Sequence, residues 1–133
     1  MHAHRPIARR ALHLLTAAGA VTLALTLAGQ SAAQAAPAKQ AYKDYAAAQF
    51  RSPAQFDCLD QLWEAESNWN PAAQNPTSTA YGIAQFLDAT WATTGIAKTS
   101  DPYRQIDAGL IYIDERYDTA CVAWDFHQAN NWY

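Results

Sequence analysis

The sequence predicts an all-α domain, with β structure limited to at most one small irregular hairpin. Two segments carry apolar residues at helical spacing, Phe56–Ser67 and Pro102–Tyr117. Thr119 is placed to cap a third helix over Ala120–Gln128. Between the first two segments lies an uncharged lobe of turn-forming residues.

The chain opens with an address. Met1–Arg10 carries Arg5, Arg9 and Arg10, Ala11–Gly29 is apolar and uncharged, and Ala33 and Ala35 occupy the −3 and −1 positions of a cleavage site. Residues 1–35 therefore read as a secretory signal peptide, and the protein is expected to be secreted, extracellular or bound to the cell wall. The apolar run is just long enough to span a bilayer, but the Ala-x-Ala site favours cleavage and leaves no stable membrane insertion.

Residues 36–53 are rich in Ala, Gln and Tyr and read as a spacer or accessory helix, with a short helix over Ala41–Phe50. Ser52-Pro53-Ala54-Gln55 looks like a helix start, with Ser as N-cap, Pro first in the helix and Gln three residues after the cap. Residues 54–133 then form the main domain. Its first helix ends at Asn68-Trp69-Asn70-Pro71. The polar lobe holds Asn-Pro at Asn70-Pro71 and again at Asn75-Pro76, where the hairpin is expected. Asp88 is a plausible N-cap for Ala89–Thr94, with Gly95 as the stop.

Asp101-Pro102 opens what reads as the longest helix, with Tyr103, Ile106, Leu110, Ile113 and Tyr117 along one seam. Gly109 inside it costs about 1 kcal/mol relative to Ala and so marks a close helix crossing.

Cleavage after Ala35 leaves 98 of the 133 residues. A domain that small buries only roughly 60–65% of its unfolded surface and is marginal without a cross-link. Cys58 and Cys121 are the only cysteines, and an exported chain meets oxidising conditions, so a bridge between them is expected. Closing that loop contributes roughly 4 kcal/mol. Two cysteines and a lone mature histidine, His127, make no metal-ligand spacing, and no cofactor is implied.

Loss of three arginines leaves six basic residues against twelve acids, a formal charge of −6 with no basic run. That argues against nucleic acid and against docking on anionic lipid. A monomer is expected.

One residue breaks the pattern of the first helix. Asp57, Asp60, Gln61 and Glu64 share one side; Phe56, Cys58, Leu59, Leu62, Trp63 and Ala65 share the other, and Glu66 lies near its middle. Burial and the negative end of the helix dipole both raise a carboxyl pKa, here from about 4.3 toward about 6. A general acid at neutral pH needs that. The alternatives are a different helix phase or a core Arg paired with Glu66.

Glu66-Ser67-Asn68-Trp69-Asn70-Pro71, then Tyr81-Gly82-Ile83-Ala84-Gln85-Phe86, then Gln105-Ile106 with Gly109-Leu110 and Tyr112-Ile113, resemble the transglycosylase SLT domain of the lysozyme-like superfamily. The likeness runs from about Gln55 to Tyr133 and is strongest to small secreted bacterial members ending in Trp-Tyr, as at Trp132-Tyr133. It implies a lysozyme-like helical fold and cleavage of the β-1,4 bond between N-acetylmuramic acid and N-acetylglucosamine, with peptidoglycan strands as partner. The catalytic acid of that motif falls on Glu66; Ser67 and Gln85 fall on substrate-contacting positions.

Two departures stand out. Ala84 replaces a usual Met. Trp124 replaces the Tyr whose hydroxyl contacts the acid, and an indole N–H only donates; Trp124 is kept as an apolar wall of the substrate site.

Several residues keep two readings. Ser67 either touches substrate or ends its helix, Gln85 either lines the cleft or bonds across the lobe, and Tyr81 is balanced between substrate and lobe. Trp63, Trp69 and Trp91 read as core, and His127 as surface.

A hydrolase of the two-carboxylate kind needs a second acid about 5–9 Å from the first. After Glu66 the next acid is Asp88, which reads as a cap. A single acid suits lytic transglycosylation with a 1,6-anhydro product. A lysozyme-type hydrolase and a catalytically inactive peptidoglycan-binding module are the alternatives.

Overall fold

The computed structural model describes residues 27–133, with side-chain environments from Ala35 onward. Most of the expected signal segment, 1–35, lies outside the described residues. Five helices follow one another: α1 Leu27–Ala47, α2 Pro53–Ser67, α3 Asp88–Thr93, α4 Pro102–Tyr117 and α5 Ala120–Asn130. The only β pairings among the described residues are two isolated antiparallel bridges, Gln74 with Tyr81 and Tyr81 with Phe86. The fold is all-α, lysozyme-like, with the polar lobe between α2 and α3.

α1 corrects the reading of a short helix over Ala41–Phe50. It starts earlier, ends at Ala47, and at 21 residues is longer than the 16 of α4. Tertiary contacts hold its second half. Ala46 is fully buried, and Tyr42 and Tyr45 meet the Tyr103 ring edge-on. The Tyr45 hydroxyl donates to Asp107 Oδ1 at 2.8 Å, and Lys43 Nζ stands 2.7 Å from both Asp60 Oδ1 and Glu64 Oε1.

α2 begins at Pro53 after Ser52, but the Ser52 side chain makes no capping bond. Gln55 turns instead to α5, where its Oε1 accepts the Cys121 N–H. Leu59, Leu62 and Trp63 are buried, which sets the expected phase; Ala65 departs from it and is exposed. The helix stops on two left-handed residues, Asn68 at φ 55° and Trp69 at φ 58°. Such a φ is costly for a bulky side chain. It is held here because the Trp69 indole is buried edge-on against Trp63 and donates to Asp60.

Asp88 is the first residue of α3 rather than its cap; Leu87 takes the cap position and the Asp88 carboxylate pairs with Lys98. Asp101 does cap α4, accepting from the Tyr103 and Arg104 N–H groups, and Thr119 caps α5 through the Val122 N–H. The buried face of α4 is rotated from the expected seam: Gln105, Ala108 and Gly109 join Ile106, Ile113 and Tyr117, while Tyr103 is exposed. Gly109 marks a close crossing, since a Cβ there would run into the Trp63 indole.

Gln105 ties the lobe to this frame. It is 1% exposed, its Nε2 donates to Pro71 O and Thr99 O, and its Oε1 accepts from Ile83 N at 2.8 Å. Gly82, at φ +84°, lies so close over this amide that a Cβ would meet its Oε1 at 2.6 Å.

α2 and α5 form the most extensive helix pair, and the Cys58–Cys121 disulfide joins them, with Cα atoms 4.9 Å apart. No described helix is long and apolar enough to cross a membrane.

Candidate functional site

Glu66 follows Leu59, Leu62 and Trp63 at the i+7, i+4 and i+3 positions, so the stripe that buries α2 carries the carboxyl toward α5. Its side chain is only 16% exposed. Burial disfavours the charged form and raises its pKa to about 7, above the range expected from the sequence. No described Arg or Lys pairs with it. It is therefore poised to exist in both protonation states near neutrality, as a group that gives and retakes a proton requires.

The carboxyl lines a cavity of about 290 Å³, near the lower limit for small-molecule sites. Ala84, Gln85, Phe86 and Leu87 of the lobe form one side, Thr90 of α3 adds a hydroxyl, and Asn131, Trp132 and Tyr133 close the other. Leu87 and Trp132 are 47% and 51% exposed, giving the mouth an apolar rim. Glu66 is the only carboxyl-bearing side chain among these lining residues. A larger groove, of about 610 Å³, runs between α1 and Asn68–Pro71, but no acid lines it. No group of His, Cys, Asp and Glu fit to hold a metal ion occurs among the described residues.

The residues singled out beside Glu66 occupy different places. The Ser67 hydroxyl donates to Ile83 O at 2.7 Å, fastening the end of α2 to the lobe. Gln85, in a left-handed conformation at φ 53°, lines the cavity, while its Nε2 donates to Ala73 O and Gly82 O. Tyr81 sits in the bridge pairs with Lys98 above its ring and does not line the cavity. Trp124 does not line it either; its ring stacks on His127, centroids 5.4 Å apart and planes 18° apart. Trp63, Trp69 and Trp91 are core, as expected.

Two residues of the site were not anticipated. His127, read as surface, is 15% exposed, and its Nε2 lies 3.0 Å from Glu66 Oε1. Burial lowers its pKa, favouring the neutral imidazole. The available signal was its register: His127 stands at i+7 from Ala120 and i+4 from Ala123, both buried. Tyr133 carries no sequence signal beyond the terminal Trp-Tyr pair. Its hydroxyl accepts from Trp63 Nε1 and donates to Ala84 O, and burial together with the Glu66 charge pushes its pKa well above the usual value.

No match exists among curated proteins or among solved structures. The family model for the transglycosylase SLT domain does match, over residues 43–130. The matched span begins in the part of α1 that packs on the domain and takes in Glu66, the lobe, Gln105 and His127. Covering about two thirds of the chain and centred on the helices that frame the acid, this match makes the protein a member of the transglycosylase SLT domain family.

Proposed function

We propose that the protein is a lytic transglycosylase acting on peptidoglycan, with Glu66 as the sole acid and base. The observation that carries this reading is a buried carboxyl, of pKa about 7, in a cavity whose described lining residues include no second acidic side chain. In the first step protonated Glu66 donates to the oxygen of the β-1,4 bond between N-acetylmuramic acid and N-acetylglucosamine, and that bond breaks. The Glu66 carboxylate then takes the proton of the C6 hydroxyl of the muramic acid, whose oxygen closes on C1. The product is a 1,6-anhydro sugar, and the acid is restored. Two-carboxylate hydrolysis needs a base or nucleophile about 5–9 Å from the acid, and no lining residue supplies a second Asp or Glu side chain for it.

The leader sequence supports a protein exported to meet this substrate at the wall. Purified mature protein is to be incubated with isolated sacculi and the fragments weighed. Products lighter by one water than hydrolysis fragments are expected, with Glu66→Gln losing about 10²–10⁴-fold in rate while still binding the wall. Reducing-end products without the anhydro ring would replace the reading with hydrolysis. Wall binding with no turnover by wild type would replace it with a binding module.

A further inference from the structure

We propose that His127 is the positioning residue of the Glu66 carboxyl: a neutral imidazole that directs its Nε2–H at Oε1 and leaves Oε2 to carry the proton. The proposal rests on the reading of Glu66 as the acid.

Three observations support it. The Nε2 to Oε1 distance, 3.0 Å, is short enough for a hydrogen bond once the N–H lines up on the oxygen, and such bonds in substrate-free sites are often poorly aligned and tighten only in the substrate complex. The other ring nitrogen, Nδ1, is buried and has no partner among the described residues. The ring is clamped flat against Trp124, with Tyr133 edge-on 6.5 Å away, so its plane is set by packing.

The orphaned Nδ1 decides the tautomer. A proton on Nδ1 would be a buried donor with nothing to receive it, the rarer and costlier defect. A proton on Nε2 leaves Nδ1 as a bare acceptor and aims the donor at Glu66. An imidazolium would again strand an Nδ1–H, and the lowered pKa of His127 agrees. The titratable groups packed on the pair are Tyr133, from the chain end, and no described Lys or Arg pairs with either member.

One donor then serves both steps. While Glu66 is an acid, Oε1 is its carbonyl oxygen and accepts from Nε2–H, so the proton resides on Oε2. Once Oε2 has given it up, the same N–H makes a charge-assisted bond to the carboxylate. A neutral donor brings no counter-charge, so the pKa that burial raises stays raised.

The test starts with wild type labelled with ¹⁵N-histidine, at a pH above the imidazole's titration. The expected spectrum shows His127 protonated on Nε2; protonation on Nδ1 overturns the proposal. Glu66 is then titrated by ¹³C NMR in His127→Phe and His127→Gln. Loss of the donor in His127→Phe should raise the Glu66 midpoint by about one unit and lower kcat about tenfold with KM unchanged. His127→Gln, whose amide N–H reaches the same place, should restore both. A Glu66 midpoint that stays put in folded His127→Phe overturns the proposal. Wild type that degrades no wall would sink the transglycosylase reading alone, because the tautomer and the midpoint are read without turnover.

Discussion

The Trp63 indole N–H donates to the Tyr133 hydroxyl across 2.9 Å, joining residues 70 positions apart in the chain. The same hydroxyl donates to Ala84 O, so one phenol links α2, the lobe and the chain end around the Glu66 cavity. Tyr133→Phe keeps the ring but strands a buried Trp63 N–H and removes the donor to Ala84. An unsatisfied buried group costs about 1–3 kcal/mol. Denaturant unfolding should show a loss of that size, and a loss below about 0.5 kcal/mol would show that solvent replaces the phenol.

The disulfide acts on the same pair of helices. Cys58 lies eight residues before Glu66 on α2, and Cys121 six before His127 on α5. The cross-link closes 63 residues and contributes roughly 4 kcal/mol. Reduction should lower Tm by about 15 °C or more in a domain of this size. No thiol should label in the native protein. A Tm unchanged by reductant would show that packing between α2 and α5 suffices alone.

What the chain announced and what it hid have physical reasons. Glu66 was legible because Leu59, Leu62 and Trp63 are large and set the phase of α2 without ambiguity. His127 was hidden because the stripe it continues is built from Ala120 and Ala123, whose small side chains give little periodic signal. Ala65 misled for a related reason, since a methyl group is tolerated on either face. The extent of α1 was hidden because its attachments, Tyr45 to Asp107 and Lys43 to Asp60, are pairings with distant residues and leave no local pattern. Asp88 fits a cap by residue type, but its carboxylate is drawn to Lys98 instead.

Glu64, on the side of α2 that it shares with Asp57, Asp60 and Gln61, meets Lys39 Nζ at 2.6 Å and Lys43 Nζ at 2.7 Å. Burial acts to raise its pKa, but the hydrogen bonds from Lys39 and Lys43 outweigh it and the pKa is lowered. The pairing therefore stabilises the fold above the ordinary Glu range and fades as pH falls through it. The side chain is 36% exposed, so screening keeps the effect small. Glu64→Gln should cost under about 1 kcal/mol at low salt, less at high salt, and leave wall degradation near wild type. A large loss of activity would show that α1 shapes the cavity through Glu64.

Glu66 is predicted to weaken the fold that it serves. Its pKa is about 7 in the folded protein against an ordinary 4.5. A group whose pKa is raised by folding binds its proton more tightly in the native state. Its effect is favourable below the unfolded pKa and is progressively lost as pH rises toward the folded one. At pH 4 both states hold the proton and the carboxyl costs nothing by ionisation. Between about pH 4.5 and 7 the unfolded chain releases its proton while the native protein keeps it, so native stability falls. Above 7 the full difference applies, roughly 3 kcal/mol at about 1.4 kcal/mol per unit. Glu66→Gln cannot ionise and escapes this loss. Its stability, measured by denaturant at a series of pH values, should match wild type near pH 4 and exceed it by up to roughly 3 kcal/mol near pH 8. His127, whose lowered pKa acts in the opposite direction, is present in both proteins. A stability difference flat across this window would mean that Glu66 titrates as an ordinary surface acid, and the burial that makes it a proton donor near neutrality would not hold in solution.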